Sequence, residues 1–133
     1  MCGFDLINDD KHGWDAANSN GEYLEVKAVS SYCRSVKATF NDTTDEKCDR
    51  FAAPNNYLAL AVWSDIITID HITYGETRIF AEYMREKVHA AIRRGNLVRP
   101  RTQSISEGWL LQNGFKQYHI DERDTMTLAR IDI

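Results

Sequence analysis

The run Tyr57 to Trp63 (YLALAVW) constrains the fold more than any other stretch of the chain. It is apolar almost without interruption, and its length fits a strand covered on both faces better than a helix. Such a strand needs a sheet with material packed on each side of it. The neighbouring pieces supply that setting. Ile66 to Tyr74 (IITIDHITY) is β-branched and reads as the next strand. From Glu76 to Arg94 the apolar residues Ile79, Phe80, Tyr83, Met84, Val88, Ala91 and Ile92 recur on one helical face, with Gly95 as the stop. Upstream, Asn18-Ser19-Asn20-Gly21 is a turn between two short extended segments, Gly13 to Ala17 and Glu22 to Val29. A third β-prone piece, Ser35 to Asn41, follows. Thr43-Thr44-Asp45-Glu46 matches a capping box that opens a short helix ending near Ala52. Ser104-Ile105-Ser106-Glu107 is a second such box, for a helix ending at Asn113-Gly114. Lys116 to Ile133 reads as two short strands. The order of elements predicts an α/β fold, a mixed central sheet flanked by helices.

At 133 residues the chain fits a single domain, 1–133, with no repeat or linker to divide it. An apolar fraction of 43% against 27% charged residues excludes a disordered chain. No apolar run approaches the roughly 18 residues of a membrane span. Met1 to Asp10 lacks a basic stretch followed by an apolar one, so no secretory signal is expected and the cytoplasm is the default setting. Cys2, Cys33 and Cys48 are an odd, scattered set that suggests neither a disulfide frame nor a zinc site. The net charge of −4 by itself disfavours a nucleic-acid binder. Its distribution points the other way. Residues 1–25 hold six acids against one base, and residues 78–101 hold seven bases against two acids. An acidic pole beside a basic one suits an enzyme that concentrates a metal cation and also grips a polyanion.

The chemistry concentrates in Gly13 to Ser30, GWDAANSNGEYLEVKAVS. On a strand, Glu25 and Lys27 share one face, while Leu24, Val26 and Ala28 face the other way and can enter the core. The turn at Asn20-Gly21 returns Asp15 alongside, so two carboxylates and an ammonium converge. Phosphodiester hydrolysis requires a hydroxide near neutral pH and relief of charge at phosphorus, and a divalent ion on hard oxygen ligands supplies both. Asp15, Glu25 and the main-chain carbonyl of Val26 are ligands of the kind Mg²⁺ prefers. Lys27 can orient or deprotonate the attacking water, or neutralise the transition state.

Glu-x-Lys by itself recurs by chance in chains of this length. The fuller arrangement, Gly-x-Asp-Ala, an Asn/Gly turn and Glu-Tyr-Leu-Glu-Val-Lys-Ala-Val-Ser, resembles the catalytic motif of the PD-(D/E)XK (restriction-endonuclease-like) superfamily. It is most similar to the motif of small homodimeric type II restriction enzymes. The likeness covers about eighteen residues and departs in having Trp14 where the motif has proline. Only fourteen residues precede Asp15, where many relatives carry a longer helix, and that bears on the dimer interface. The resemblance implies a restriction-endonuclease-like core, metal ligands at Asp15 and Glu25, and a catalytic lysine at Lys27. It further implies a Mg²⁺-dependent endonuclease (Mn²⁺ can substitute) acting on double-stranded DNA as a homodimer. The setting is restriction or a homing mobile element, in a bacterial or phage-infected cell.

Other residues are candidates of lower specificity. Ser30, Ser31, Arg34 and Lys37 follow the catalytic strand with hydroxyl and basic groups suited to phosphates. Arg99, Arg101 and Gln103 flank Pro100 in an expected loop, and Arg and Gln suit guanine and adenine edges. Lys47 and Arg50 lie on the short helix after the catalytic strand and could reach phosphates, although helix surfaces carry such charges routinely. Asp5, Asp9, Asp10 and His12 precede the motif, where a solvated acidic turn competes with an outer metal ligand. Trp109 reads as core or interface, and His71 and His89 as ordinary strand and helix residues. Two rival readings are a Holliday-junction resolvase or repair nuclease of the same superfamily, usually more basic than this chain, and a non-catalytic DNA-binding domain.

Overall fold

In a computed structural model, the backbone is described for residues 5–6, 14–65, 67–95, 98–121 and 124–131, and side chains within 14–119. Seven strands form one sheet in the order β1 (Asp5–Leu6), β2 (Ala16–Ala17), β3 (Tyr23–Ser30), β5 (Asn56–Trp63), β6 (Ile69–Glu76), β8 (Lys116–Asp121) and β9 (Asp124–Ile131). β3 and β5 are parallel and every other neighbouring pair is antiparallel, so the sheet is mixed. β4 (Lys37–Phe40) leaves that sheet and pairs with β7 (Gln103–Ser106) as a separate ribbon. Three helices complete the described elements: α1 (Asp45–Ala52), α2 (Ala81–Arg93) and α3 (Glu107–Gln112). None is long and apolar enough to cross a membrane.

β5 is the hinge of the design. It lies between β3 and β6, and Leu58 to Val62 are all buried. Its apolar run conceals a size alternation. Leu58, Leu60 and Val62 enter one cluster with Phe40, Phe51, Phe80, Met84, Leu110 and Phe115, to which all three helices contribute. Ala59 and Ala61 face the other way and pack with Ala16, Leu24 and Ile72. There Tyr57 and Tyr74 stack at 5.3 Å with rings 3° from parallel, closing over the small residues. Bulk on one face and alanine on the other is what lets a helix layer seat on the first face. Gly75 in β6 serves the same end, because a Cβ there would lie 2.6 Å from the Phe115 ring.

Several boundaries depart from expectation for identifiable reasons. The second strand starts at Ile69, since the Asp65 carboxylate accepts the N–H groups of Ile67 (2.9 Å) and Thr68 (2.8 Å) and builds a turn there; Ile66 lies outside the described residues. Glu76 ends β6, and a single 3-10 turn, Thr77–Ile79, precedes α2, which therefore begins at Ala81. Tyr83 and Ile92 are exposed, not core. Tyr83 instead stacks on Trp109 at 4.4 Å, joining α2 to α3. Both capping boxes are shifted in register. The cap of α1 is Thr44, whose hydroxyl accepts from Lys47 N–H, so the third helical position carries a lysine and not Glu46. The cap of α3 is Ser106, and Ser104 belongs to β7.

Glu107, freed from a capping role, turns to β6. Its Oε2 lies 2.8 Å from His71 Nε2 and 3.2 Å from the Thr73 hydroxyl, while His71 Nδ1 lies 2.7 Å from Asp70 Oδ2. His71, read as an ordinary strand residue, is thus clamped between two carboxylates. Burial works against its protonation, but the hydrogen bonds to Asp70 and Glu107 outweigh it and raise its pKa above the ordinary 6.5. The protonated clamp therefore stabilises the fold fully below about 6.5, and that contribution disappears as pH rises through the raised folded value. Urea midpoints measured across this range should fall more steeply in the native chain than in His71→Gln. Parallel curves for the two proteins would remove the clamp from the account.

Candidate active site

The turn before β3 is organised by Asn18. Its Oδ1 accepts the N–H groups of Asn20 and Glu22, both at 3.0 Å, and its amide donates to Glu22 Oε1 at 2.8 Å. Gly21 takes a φ of +78°, open to glycine and strained for other residues. The reversal sets Ala16 opposite Leu24 and Ala17 opposite Tyr23, and Asp15 N–H adds one more rung to Leu24 C=O at 2.9 Å. Beyond that rung the chain bends. Trp14 packs into the helix-side cluster, against Tyr23 (6.1 Å) and Phe51 (6.2 Å), whereas Ala16 is buried on the opposite face of the sheet. The residue standing where the motif has proline is thus an aromatic anchor.

Asp15, at the bend, turns its carboxylate back to β3, where Oδ2 accepts the Val26 N–H at 2.7 Å. The acid takes the place of the strand partner that β2 no longer supplies. Alternate residues of a strand direct their main-chain groups to alternate edges. Leu24 C=O points to the β2 edge, so Val26 C=O opens at that same edge, beside the Asp15 carboxylate.

Glu25 and Lys27 stand opposite Leu58 and Leu60 of β5 and share their face, the helix-covered one. Lys27 Nζ lies 3.3 Å from Glu25 Oε1, with the two side chains 27% and 12% exposed. The same ammonium rests 5.0 Å from the centre of the Phe40 ring. Burial raises the pKa of Glu25, the charge of Asp15 raises it further, and Lys27 and Lys47 pull it back. Of the residues on the other face, Leu24 is buried and Val26 half-buried, but Ala28 is exposed as the strand runs past its cover. The structure therefore brings Asp15, Glu25, the Val26 main chain and Lys27 together.

Two carboxylates drawn close in a partly desolvated place repel each other, and a cation relieves the repulsion. Among the described residues, no group of three or more His, Cys, Asp or Glu side chains converges as a metal cage. The donor set is a half-site of two acids and a carbonyl. It fits Mg²⁺, which keeps several waters and is held by one or two carboxylates together with substrate phosphate. Asp9, Asp10 and His12 lie outside the described residues, as does the side chain of Asp5.

The remaining candidates are divided. Arg34 and Lys37 line a cleft of about 490 Å³ with Lys27, Cys33, Ser35 and Thr39, so they flank the motif lysine. Ser30 ends β3 and its hydroxyl accepts from Tyr32 N–H at 3.1 Å; Ser31 N–H donates to Trp63 C=O at 2.7 Å. Arg101 lines a different cleft, with Thr44, Asp45 and His89. Arg99 adopts a positive φ of 50° in the turn before β7. Gln103 is a strand residue, not a loop residue, and its amide spends one donor on Pro100 C=O at 3.0 Å. Three of the seven bases of segment 78–101 are paired with acids. Arg85 binds Asp45 (3.2 Å) and Asp49 (2.5 Å) across α1 and α2, Arg78 pairs with Glu76, and Arg93 with Glu86. His89 also reaches Asp45, at 2.9 Å. Arg85 and His89 thus join α2 to α1, whereas the pairs of Arg78 and Arg93 are local to β6 and α2. No protein-family model matches the chain, and no curated protein matches it significantly.

The raised pKa of Glu25 gives the site a signature. Its carboxyl retains a proton at a pH where a glutamate of the ordinary 4.5 has ionised, so a metal must displace that proton. Calorimetry with Mn²⁺ at mildly acidic pH should record proton release, and affinity should fall as pH drops through the raised value. Asp15→Asn should weaken binding by at least about tenfold. Affinity flat with pH, with no protons released, would contradict a site built on Glu25.

Proposed function

We propose that this chain is a Mg²⁺-dependent endonuclease of the restriction-endonuclease-like fold. It hydrolyses phosphodiester bonds of double-stranded DNA in a restriction or homing role, and works as a homodimer so that two centres meet two strands. One observation carries the reading: the Asp15 carboxylate is bound to the Val26 N–H at 2.7 Å, at the edge of the strand that also carries the Glu25–Lys27 pair. The motif that resembles the PD-(D/E)XK superfamily is therefore also a spatial cluster, with its acids, carbonyl and amine assembled by a hairpin and one parallel neighbour. The order of elements, strands followed by a helix and further strands, agrees with the core that the resemblance implies.

Each group has a task in hydrolysis. Asp15, Glu25 and Val26 C=O would hold Mg²⁺, which when bound supplies Lewis-acid polarisation of the phosphoryl oxygen and a lowered pKa for water. Lys27, already paired with Glu25, places its ammonium where it can orient the attacking water or meet the negative charge that grows on the phosphoryl oxygens. The face of Phe40 holds that ammonium in position, so little is lost in ordering it during the reaction. Arg34 and Lys37, in the cleft that begins at Lys27, can hold the neighbouring backbone phosphates.

Incubation with mixed-sequence plasmid and Mg²⁺ should give discrete cleavage that a chelator abolishes. Glu25→Ala and Lys27→Ala should each reduce the rate by at least about a hundredfold, with urea midpoints retained. Undiminished cleavage by both variants, or no cleavage of any duplex by the native chain, would refute the proposal.

A further inference from the structure

The first turn of α1 contains a cation in an unfavourable position. Amide groups at a helix N-terminus present positive charge, and Asp45 and Glu46 answer it as expected. Lys47, at the third helical position, does not. That position favours a glutamate or glutamine reaching back to the cap. A lysine on an exposed helix ordinarily extends its ammonium into water along the surface. This one folds inward. Its Nζ lies 5.9 Å from the Phe40 ring and 6.0 Å from the Phe51 ring, and donates to Asn41 C=O at 2.8 Å. Asn41 uses one of three donors on the ammonium.

Its direction matters more than its burial. Phe40 is the same ring on which Lys27 Nζ rests, so two ammonium groups, one from β3 and one from α1, gather around one buried aromatic side chain. Both feel the Glu25 carboxylate. Burial lowers the pKa of Lys47, Lys27 lowers it further, and Glu25 opposes the shift. With Asp15 and Glu25 directed to a metal, the two amines are left as a positive pair that calls for an anion. Arg50, three residues on, is exposed, so the two cations of α1 are not equivalent.

We propose that Lys47 is a second cation of the reaction centre, reaching from α1 to a non-bridging oxygen of the DNA phosphate that is cleaved. This rests on the nuclease reading above, and supplies it with a catalytic group outside the motif. The arrangement also separates duties: Lys27, paired to Glu25, serves the water side, and Lys47, hydrogen-bonded to the Asn41 carbonyl, serves the phosphate.

The test compares Lys47→Met, which keeps an unbranched apolar stem for Phe40 and Phe51, with Lys47→Arg, which keeps the charge. Lys47→Met should retain the native urea midpoint yet lose about a hundredfold in kcat/KM on a cleaved duplex, and Lys47→Arg should restore a large part of it. A second readout needs no turnover. With Ca²⁺ in place of Mg²⁺, the slope of log affinity for a DNA duplex against log salt should fall by about one in Lys47→Met and stay native in Lys47→Arg. If Lys47 only packs, Lys47→Met will match the native chain in rate and salt slope, and the proposal is overturned. If the native chain cleaves no duplex but the slope still falls by one, the nuclease reading fails while the phosphate contact of Lys47 stands. No cleavage together with an unchanged slope overturns both.

Discussion

The site depends on a carboxylate doing the work of a strand. β2 is two residues long and its ladder with β3 ends at Leu24, which would leave the Val26 N–H at an open edge. Asp15 Oδ2 accepts it at 2.7 Å. That single bond satisfies the edge, holds the acid against β3, and places its charge beside Glu25. The bend that makes it possible comes from opposed packing of its neighbours, Trp14 to the helix-side cluster and Ala16 to the other face. A strand continued regularly through residue 15 would point the side chain away from the plane of the sheet.

The rest of the fold keeps that edge in register. Parallel pairing with β5 fixes Glu25 opposite Leu58 and Lys27 opposite Leu60, so the polar pair lies on the face where the large side chains and the helices are. The helix layer thus does two things at once. It covers Leu58, Leu60 and Val62, and it sets Lys47 of α1 near the Phe40 ring on which Lys27 rests. Glu25 becomes mostly buried as a result, and its raised pKa follows from that burial first and from Asp15 second. On the other face, Ala59 and Ala61 take little room, and the aromatic side chains of Tyr57 and Tyr74 close over them.

Much of this was legible in the chain because it rests on short-range rules. The Asn/Gly turn, the i, i+2 spacing of Glu25 and Lys27, the doubly covered β5 and the glycine ends of α2 and α3 each follow from local periodicity or backbone preference. What was not legible depends on partners far along the chain. β7 has no local signature, because Gln103–Ser106 has one buried apolar residue, Ile105, and becomes a strand only by pairing with β4. The capping pattern places Glu46 and Glu107 as box-closing residues, but α1 caps one residue later, at Thr44, and tertiary contacts draw Glu107 to His71 and Thr73. The basic segment looked available to a polyanion, yet Arg85 is taken up by Asp45 and Asp49. Lys47 and Arg50 are indistinguishable as letters on a helix. Their difference arises from where α1 lies against Phe40 and Phe51.

In the proposed reading, Asp15, Glu25 and the Val26 carbonyl surround one divalent cation. Anomalous diffraction from crystals soaked in Mn²⁺ tests it without reference to turnover. A single strong peak is expected within coordination distance of both carboxylates and the carbonyl, and it should be absent from crystals of Glu25→Ala. A peak elsewhere on the molecule, or carboxylates turned too far apart to share an ion, would contradict it.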